Sequence, residues 1–260
     1  MKIGFFDSGI GGLSVLHQAR KRFPRAEYIY YADRTHVPYG EKSREAIVAF
    51  VDDIIAFLLA QGVQAVVIAC NTATSAAVGR MREKYAIPII GMEPAVKKAL
   101  DCQDTGRVLA AATPITVSGE KMHGLLEKVD KKHLVDLIAL PELVRFAERG
   151  EFRSPAVSDY LRGELRRFRL ESYTSFVLGC THFNYFKDTL REILPTQIRL
   201  VDGIEGVINH LAACVDLSGA CGGQPGPSVY YDSGRLLSEP EQLRPIEACM
   251  ARLDEMLPIV

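Results

Sequence analysis

Short, continuously apolar segments alternate with longer segments of helical periodicity along most of the chain, and this alternation constrains the fold more than any other feature. The segment "VQAVVIA" (63–69), for example, is followed by a helical pattern that runs to Tyr85 and then by "IPIIG" (87–91). Strands that are apolar on both faces and separated by helices are typical of a parallel sheet covered on both sides. The predicted fold class is therefore α/β.

Eight segments of the chain have the character of such strands. They are "KIGFF", "EYIYYA", "VQAVVIA", "IPIIG", "RVLAAA", "LVDLIAL", "SFVLG" and "IRLV". The helix between the second and third is especially clear, because Ile47, Val51, Ile54 and Leu58 recur at intervals of three and four residues and Gly62 ends the pattern.

An internal repeat refines this prediction. "VVIACNTAT" (66–74) and "FVLGCTHFN" (176–184) each join an apolar strand to a cysteine and then to polar residues that open a helix. We predict two pseudo-symmetric domains, each a mostly parallel sheet flanked by helices, with the active site in the cleft between them. The predicted division is 1–96 plus 210–260, completed by the C-terminal helix, and 97–209, with the first crossing at "KALDCQDTG" (98–106).

Composition excludes several classes of protein. The 31 basic and 32 acidic residues give a net charge of −1, so no nucleic acid or membrane partner is expected. No segment approaches the length of a membrane span, and no charged and apolar leader is apparent at the N-terminus, so we predict a cytoplasmic protein. The six cysteines form no Cys-x-x-Cys pair, which argues against a disulfide framework and a metal site.

Cys70 and Cys180 are the candidate functional residues. Each follows a strand at the point where a helix is predicted to begin, and a helix N-terminus is expected to lower the pKa of a thiol towards neutrality. Cys102, Cys214, Cys221 and Cys249 lack that setting and are predicted to be structural.

Two opposed thiols can racemise an amino acid, one removing the α-proton as a thiolate and the other delivering a proton to the opposite face. Asn71, Thr72 and Thr181 would supply neutral hydrogen-bonding groups, and His182 could tune Cys180. Asp7, which ends the first strand, could tune Cys70 or hold the substrate ammonium with Ser8.

The motifs "IGFFDSGIGGLSVL", "VPYG", "ACNTAT", "IIGMEP" and "LGCTHF" occur in order from one end of the chain to the other. On these motifs the chain resembles the glutamate racemases of the aspartate/glutamate racemase superfamily. The resemblance implies proton transfer by Cys70 and Cys180, assisted by Asp7 and His182. It also implies substrate contacts from Ser8, Pro38, Tyr39, Gly40, Asn71, Thr72, Thr113, Thr116 and Thr181.

The resemblance further implies an enzyme that uses neither pyridoxal phosphate nor a metal, supplies D-glutamate for peptidoglycan and is often a homodimer. The chain departs from the family pattern in places. Asn184, Tyr185 and Phe186 replace a proline and apolar residues after "LGCTHF", Leu140 replaces a cysteine, and Arg235 stands where an acid is common. Glu148 lies where some members have a functional acid, and its role stays open.

Three further hypotheses remain open from the sequence. Aspartate racemisation needs the same thiols and differs by one methylene in the substrate. A hydrolase or isomerase with a single nucleophilic cysteine would form a trappable covalent adduct. A binding protein would hold an acidic amino acid between the halves without turning it over.

Overall fold

The computed structural model describes residues 1–92, 95–101 and 106–259, and within these residues the strands form two sheets. The strands are β1 Lys2–Asp7, β2 Glu27–Ala32, β3 Ala65–Ile68, β4 Ile89–Gly91, β5 Arg107–Ala112, β6 Val135–Ala139, β7 Tyr173–Leu178, β8 Arg199–Val201, β9 Ser228–Asp232 and β10 Arg235–Leu237.

The two sheets share a four-strand topology, and the first sheet has two further strands at one edge. The first has the order β10-β9-β2-β1-β3-β4 and the second the order β6-β5-β7-β8. All pairs are parallel except β9 with β10. In each half, the first strand of the chain is central, the second lies on one side of it, and the third and fourth lie on the other. The predicted α/β fold with two similar, mostly parallel sheets is confirmed.

Helices connect successive strands from β1 to β9, and a last helix follows β10. They are α1 Leu13–Arg22, α2 Arg44–Ala60, α3 Asn71–Lys84, α4 Val96–Asp101, α5 Pro114–Ser118, α6 Glu120–Val129, α7 Pro141–Glu148, α8 Pro155–Leu165, α9 Lys187–Ile193, α10 Ile204–Cys214 and α11 Pro240–Met256. All eight predicted strands are present. The hairpin of β9 and β10 was not predicted, because its residues are only half-buried or exposed and show no continuous apolar run.

A single apolar core joins the halves. Phe5 and Tyr28 from the first sheet, Leu109 and Phe176 from the second, and Leu253 from α11 belong to one buried cluster. Burying apolar surface across the seam favours a fixed relation between the two sheets. One smaller apolar cluster packs on the outer face of the first sheet, and another packs on the outer face of the second.

The division into 1–96 plus 210–260 and 97–209 stays a prediction. Residues 102–105 of the predicted first crossing lie outside the described residues, as do Cys102 and the last two residues of the "IIGMEP" motif. In the part of the chain that the structure describes, no helix is both long and apolar enough to span a membrane.

Candidate active site

Polar segments from both sheets meet where the sheets face each other. In a sheet with this strand order, the crevice lies beyond the carboxyl ends of the first and third strands, because the connections leave these strands in opposite directions. Asp7 ends β1 and Cys70 follows β3, while Thr113 follows β5 and Cys180 follows β7. The fold thus places Cys70 and Cys180, the two candidate functional thiols, at equivalent positions of the two halves.

Cys70 caps the N-terminus of α3. Its backbone is extended, and its Sγ accepts a hydrogen bond from the Ala73 amide at 3.4 Å, as a serine hydroxyl does at many helix N-termini. The thiol donates to Ser8 Oγ at 3.8 Å, and only 6% of the residue is exposed. Its polar surroundings are therefore a helix amide and a neutral hydroxyl.

Cys180 has a different helical setting. The predicted helix does open directly after Cys180, but Thr181–Phe186 form a 3₁₀ helix and α9 begins only at Lys187. Asn184 Nδ2 donates to the Thr181 carbonyl at 3.2 Å, and such local side-chain bonds compete with α-helical pairing. The Cys180 sulfur lies 3.7 Å from Nδ1 of His182.

The pKa values of Cys70 and His182 are both raised, but for different reasons. Burial raises the pKa of the Cys70 thiol above its ordinary value, and the charges of Asp7 and Cys180 add to that rise. The Ala73 amide at the helix N-terminus does lower this pKa, but lost hydration outweighs it, so the predicted net fall towards neutrality is wrong. Burial lowers the pKa of His182, but hydrogen bonds and charges from Cys180 and Glu148 outweigh burial, and the net pKa shift is well upward.

Glu148 connects His182 to the loop between β1 and α1. Its Oε1 lies 2.7 Å from Nε2 of His182 and accepts from the Ile10 amide at 2.8 Å, while Arg34 Nε lies 3.4 Å from Oε2. Burial raises the pKa of Glu148, but the contacts with His182, Ile10 and Arg34 lower it by more. Cys180, His182 and Glu148 therefore form a continuous series that ends in an anionic carboxylate.

Asp7 lies between the two thiol segments and is fully buried. Its Oδ1 accepts from the Gly9 amide at 3.1 Å and from the Ser8 hydroxyl at 3.4 Å, and its Oδ2 accepts from the Thr181 hydroxyl at 3.0 Å. Ser8 contacts Cys70, and Thr181 is the neighbour of Cys180 in the chain. Burial raises the pKa of Asp7 despite opposing contributions from His182, Gly9 and Thr181.

Three buried threonines form a hydroxyl cluster across the crevice. Thr113 Oγ1 lies 2.9 Å from Thr72 Oγ1 and 3.0 Å from Thr116 Oγ1, and the remaining pair is separated by 3.4 Å. Gly40 packs directly on this cluster, since a Cβ there would lie 2.8 Å from the Thr113 Cβ. Hydroxyl protons can rotate to suit an acceptor, so the three groups can donate together to a carboxylate.

The segment before Gly40 is held by an aspartate that the sequence analysis missed. Tyr39 is buried and its hydroxyl donates to Asp33 Oδ2 at 2.5 Å; Pro38 precedes it after a cis peptide bond. Asp33 directly follows β2. A polar residue at the end of a predicted strand was therefore the signal that could have found it.

Asn71 presents a buried polar atom to the same region. Its Oδ1 has no hydrogen-bond partner, and the residue lines a cavity of about 50 Å³ together with Thr116. A wider cleft of about 1170 Å³ opens beside Thr72 and Thr116. Because buried acceptors are nearly always paired, Asn71 Oδ1 marks a position suited to a ligand donor.

Glycines in the loop between β1 and α1 let it approach the opposite half. A Cβ at Gly9 would overlap Glu148 Oε1, and a Cβ at Gly11 would overlap His182 Nδ1 and Thr181 Oγ1. The packing role of these glycines was not predicted from the sequence. The reason is that their neighbours lie far away in the chain.

The remaining described cysteines differ in burial. Cys249 is buried, in keeping with a structural role, but Cys214 and Cys221 are exposed, so the prediction that they are structural is wrong; neither is placed to fill a core. The described cysteines are free thiols. Within 1–92, 95–101 and 106–259, no three histidine, cysteine, aspartate or glutamate side chains are placed to hold a metal ion. Arg235 is exposed on β10.

Comparison with known proteins gives consistent matches. The Asp/Glu/Hydantoin racemase family matches residues 14–211. A curated glutamate racemase of Campylobacter curvus is 51% identical and covers all of both chains. One of Lachnospira eligens is 50% identical over 98% of this chain and 99% of its own.

A solved structure agrees with these sequence matches. Escherichia coli glutamate racemase, in complex with L-glutamate and the activator UDP-MurNAc-Ala, superposes with a TM-score of 0.83 at 30% identity, over 96% of this chain and 94% of that one. With a family match over most of its length and curated relatives about half identical from end to end, the chain belongs to the Asp/Glu/Hydantoin racemase family of isomerases, among the glutamate racemases.

Proposed function

We propose that this chain interconverts L- and D-glutamate without a cofactor, by moving the α-proton between Cys70 and Cys180. One observation carries the proposal. Two buried thiols follow equivalent strands of two similar sheets, and Asp7 connects their neighbours Ser8 and Thr181. Acid/base groups on two facing sheets can serve the two faces of one α-carbon.

Cys180 is the base of the resting enzyme in this proposal. A cationic imidazole beside a sulfur favours the thiolate, and His182 lies 3.7 Å from Sγ with its pKa raised by the contacts described above. Glu148 balances the charge of His182 at 2.7 Å. Removing the α-proton breaks the substrate C–H bond and forms an S–H bond at Cys180.

Cys70 is the acid. Burial raises the pKa of this thiol, so it holds its proton at neutral pH and can deliver it to the opposite face of the carbanion-like species. The Cys70 S–H bond then breaks and a new C–H bond forms. The enzyme is left with the two protonation states exchanged, which is the state required to run the reaction in the reverse direction.

The substrate is bound by neutral donors and one unpaired acceptor. The cluster of Thr72, Thr113 and Thr116 receives a carboxylate, and Asn71 Oδ1 accepts from the ammonium group. Fixed dipoles that already face the site stabilise developing negative charge without the reorganisation that water would require.

Glutamate is favoured over aspartate as the substrate, because the relatives at 51% and 50% identity are both glutamate racemases. Aspartate racemisation is the second candidate, since it uses the same thiols. Supply of D-glutamate for peptidoglycan, a homodimeric assembly and a cytoplasmic location remain predictions that rest on the sequence and the family.

The decisive experiment incubates the purified protein in deuterium oxide with L-glutamate, and separately with L-aspartate, without added cofactor. We expect optical rotation to decay to zero with glutamate while deuterium enters the α-position. Faster decay with aspartate would favour the second candidate. Constant rotation with both substrates would refute racemisation, and a trapped covalent adduct on one cysteine would support the nucleophile hypothesis instead.

A further inference from the structure

Two buried tyrosines, one from each half, hold the loop between β1 and α1 by its carbonyl groups. The Tyr30 hydroxyl donates to the Gly9 carbonyl at 2.7 Å, and the Tyr185 hydroxyl donates to the Ile10 carbonyl at 2.8 Å. Both tyrosines are almost fully buried. The loop is thus fixed from both sides of the crevice at two consecutive peptide groups.

The peptide group between Gly9 and Ile10 makes one hydrogen bond through its carbonyl and another through its N–H. Its carbonyl accepts from Tyr30, and its N–H donates to Glu148 Oε1 at 2.8 Å. Because a peptide group is planar and rigid, rotation of this group would weaken both bonds together. The next peptide group is fixed by Tyr185, so Ile10 is held on both of its sides.

Tyr185 is itself anchored from behind. Its backbone carbonyl accepts two hydrogen bonds from Arg252 of α11, at 3.0 and 2.7 Å. Its ring stacks on Phe152 with the centroids 4.9 Å apart. Burial raises the pKa of both Tyr30 and Tyr185, which keeps the phenols protonated as donors.

We propose that Tyr30 and Tyr185 are positioning residues for the Cys180 side of the site. Through the Ile10 amide they orient Glu148, which in turn orients His182 against Cys180. The two hydroxyls donate to the Gly9 and Ile10 carbonyls of the loop rather than to Cys70 or Cys180, so their influence on proton transfer is indirect. The inference rests on the proposed two-thiol racemisation.

The test compares Tyr30→Phe and Tyr185→Phe with Tyr28→Phe as the matched control. Tyr28 is equally buried, and its hydroxyl donates to the carbonyls of Ala19 and Phe23, away from the site. Each phenylalanine keeps the ring and removes one hydroxyl. We expect the two loop variants to lower kcat roughly threefold to tenfold with KM nearly unchanged, and the control to lower it by less than twofold.

The α-deuterium isotope effect separates positioning from a general loss of structure. If proton transfer at Cys180 alone is slowed, the isotope effect rises for the enantiomer whose proton goes to Cys180 and falls for the other. A Cys70→Ser variant identifies the enantiomer whose proton goes to Cys180, because it should still exchange the α-proton of that enantiomer with solvent. A merely structural defect would lower both rates without this opposite change.

A double variant tests the route through Glu148. Tyr185→Phe combined with Glu148→Gln is expected to be no slower than Glu148→Gln alone. The inference would be overturned by additive losses of kcat in the double variant, or by isotope effects that change in the same direction for both enantiomers. It would also be overturned if Tyr30→Phe and Tyr185→Phe lowered kcat no more than Tyr28→Phe. A wild-type protein that fails to racemise acidic amino acids would refute the proposed function itself, which is a distinct result.

Discussion

The two thiol segments occupy equivalent places in the fold but differ in what surrounds the sulfur. Cys70 caps an α-helix and contacts a helix amide and the Ser8 hydroxyl. Cys180 precedes a 3₁₀ turn and lies beside His182, which is backed by the Glu148 carboxylate. The same backbone topology therefore places one sulfur in direct contact with neutral hydrogen-bonding groups and the other beside an ion pair.

In the proposed mechanism, this difference assigns the two sulfurs opposite roles, with Cys70 as the acid and Cys180 as the base. A buried thiol with only neutral donors and nearby negative charge keeps its proton, whereas a sulfur beside a stabilised imidazolium favours the thiolate. Racemisation needs one thiol and one thiolate at the same time. In the proposed mechanism, asymmetry between the halves is thus as necessary as their similarity.

The largest expected effect comes from the thiols themselves. Cys70→Ser and Cys180→Ser should each reduce racemisation roughly 10²–10⁴-fold, because each removes one of the two proton-transfer groups. Each variant should still exchange the α-proton of one enantiomer with deuterium oxide, and Cys70→Ser should do so faster, since it keeps the imidazole-supported sulfur.

The exposed Cys214 provides the control for these variants. Cys214→Ser should retain full activity when loss of optical rotation is followed under the same conditions. A fully active Cys180→Ser enzyme would remove the proposed mechanism.

Asp7→Asn should lower activity roughly 100-fold and yet raise stability. Burial raises the pKa of Asp7, so its ionised form costs folding free energy as pH rises through the folded-state pKa. Asparagine removes that charge, and a gain of about 1 kcal/mol would raise the melting temperature by about 2–4 °C at neutral pH. The gain should vanish in acid, where both states of the wild type are protonated.

Asp136→Asn is the control, because its effect on stability is expected to have the opposite sign. Hydrogen bonds from Arg107 and Tyr173 lower the pKa of Asp136, so its ionised form stabilises the fold at neutral pH and that contribution is lost in acid. This variant should melt at a lower temperature than the wild type. If Asp7→Asn also melted lower, the assigned cost of burying Asp7 would be wrong.

Glu148→Gln should lower kcat roughly tenfold. Without the carboxylate, the imidazolium of His182 loses a stabilising charge, so the pKa of His182 falls and the alkaline limb of the pH–rate profile moves to lower pH. Glu151→Gln, which alters only an exposed ion pair with Arg149, should leave the profile unchanged. An unshifted limb in Glu148→Gln would contradict the ion-paired description of the Cys180 side.

Ser8→Ala should have the smallest effect, roughly twofold to threefold on kcat/KM. The substitution removes the Ser8 hydroxyl, a neutral hydrogen-bond partner 3.8 Å from the Cys70 sulfur. A long, neutral hydrogen bond of this kind contributes little to transition-state stabilisation. Steady-state assays in both directions should give the same kcat/KM change, because the equilibrium constant of a racemase is one. A loss of activity as large as that of Glu148→Gln would contradict the proposed difference between the surroundings of Cys70 and those of Cys180.

Much of the fold could be predicted from local patterns. Continuous apolar strands such as Ala65–Ile68 are recognisable without any partner, and the duplicated cysteine segments pointed to two similar sheets. The hairpin of β9 and β10 could not be found in this way, since its half-buried residues carry no comparable pattern. The 3₁₀ turn after Cys180 likewise departs from the predicted helix, because Asn184 bonds to the local backbone.

The sequence by itself determined the α/β fold and the placing of Cys70 and Cys180 after matching strands, because strand patterning is local and parallel strands bring their carboxyl ends to one edge. Only the tertiary structure decided that His182 beside Cys180 is paired with the Glu148 carboxylate. The Ile10 amide and Glu148 are 138 residues apart, and the pKa shifts of Cys70, His182 and Asp7 depend on burial and on contacts across the crevice. Such terms arise only when distant segments exclude water together.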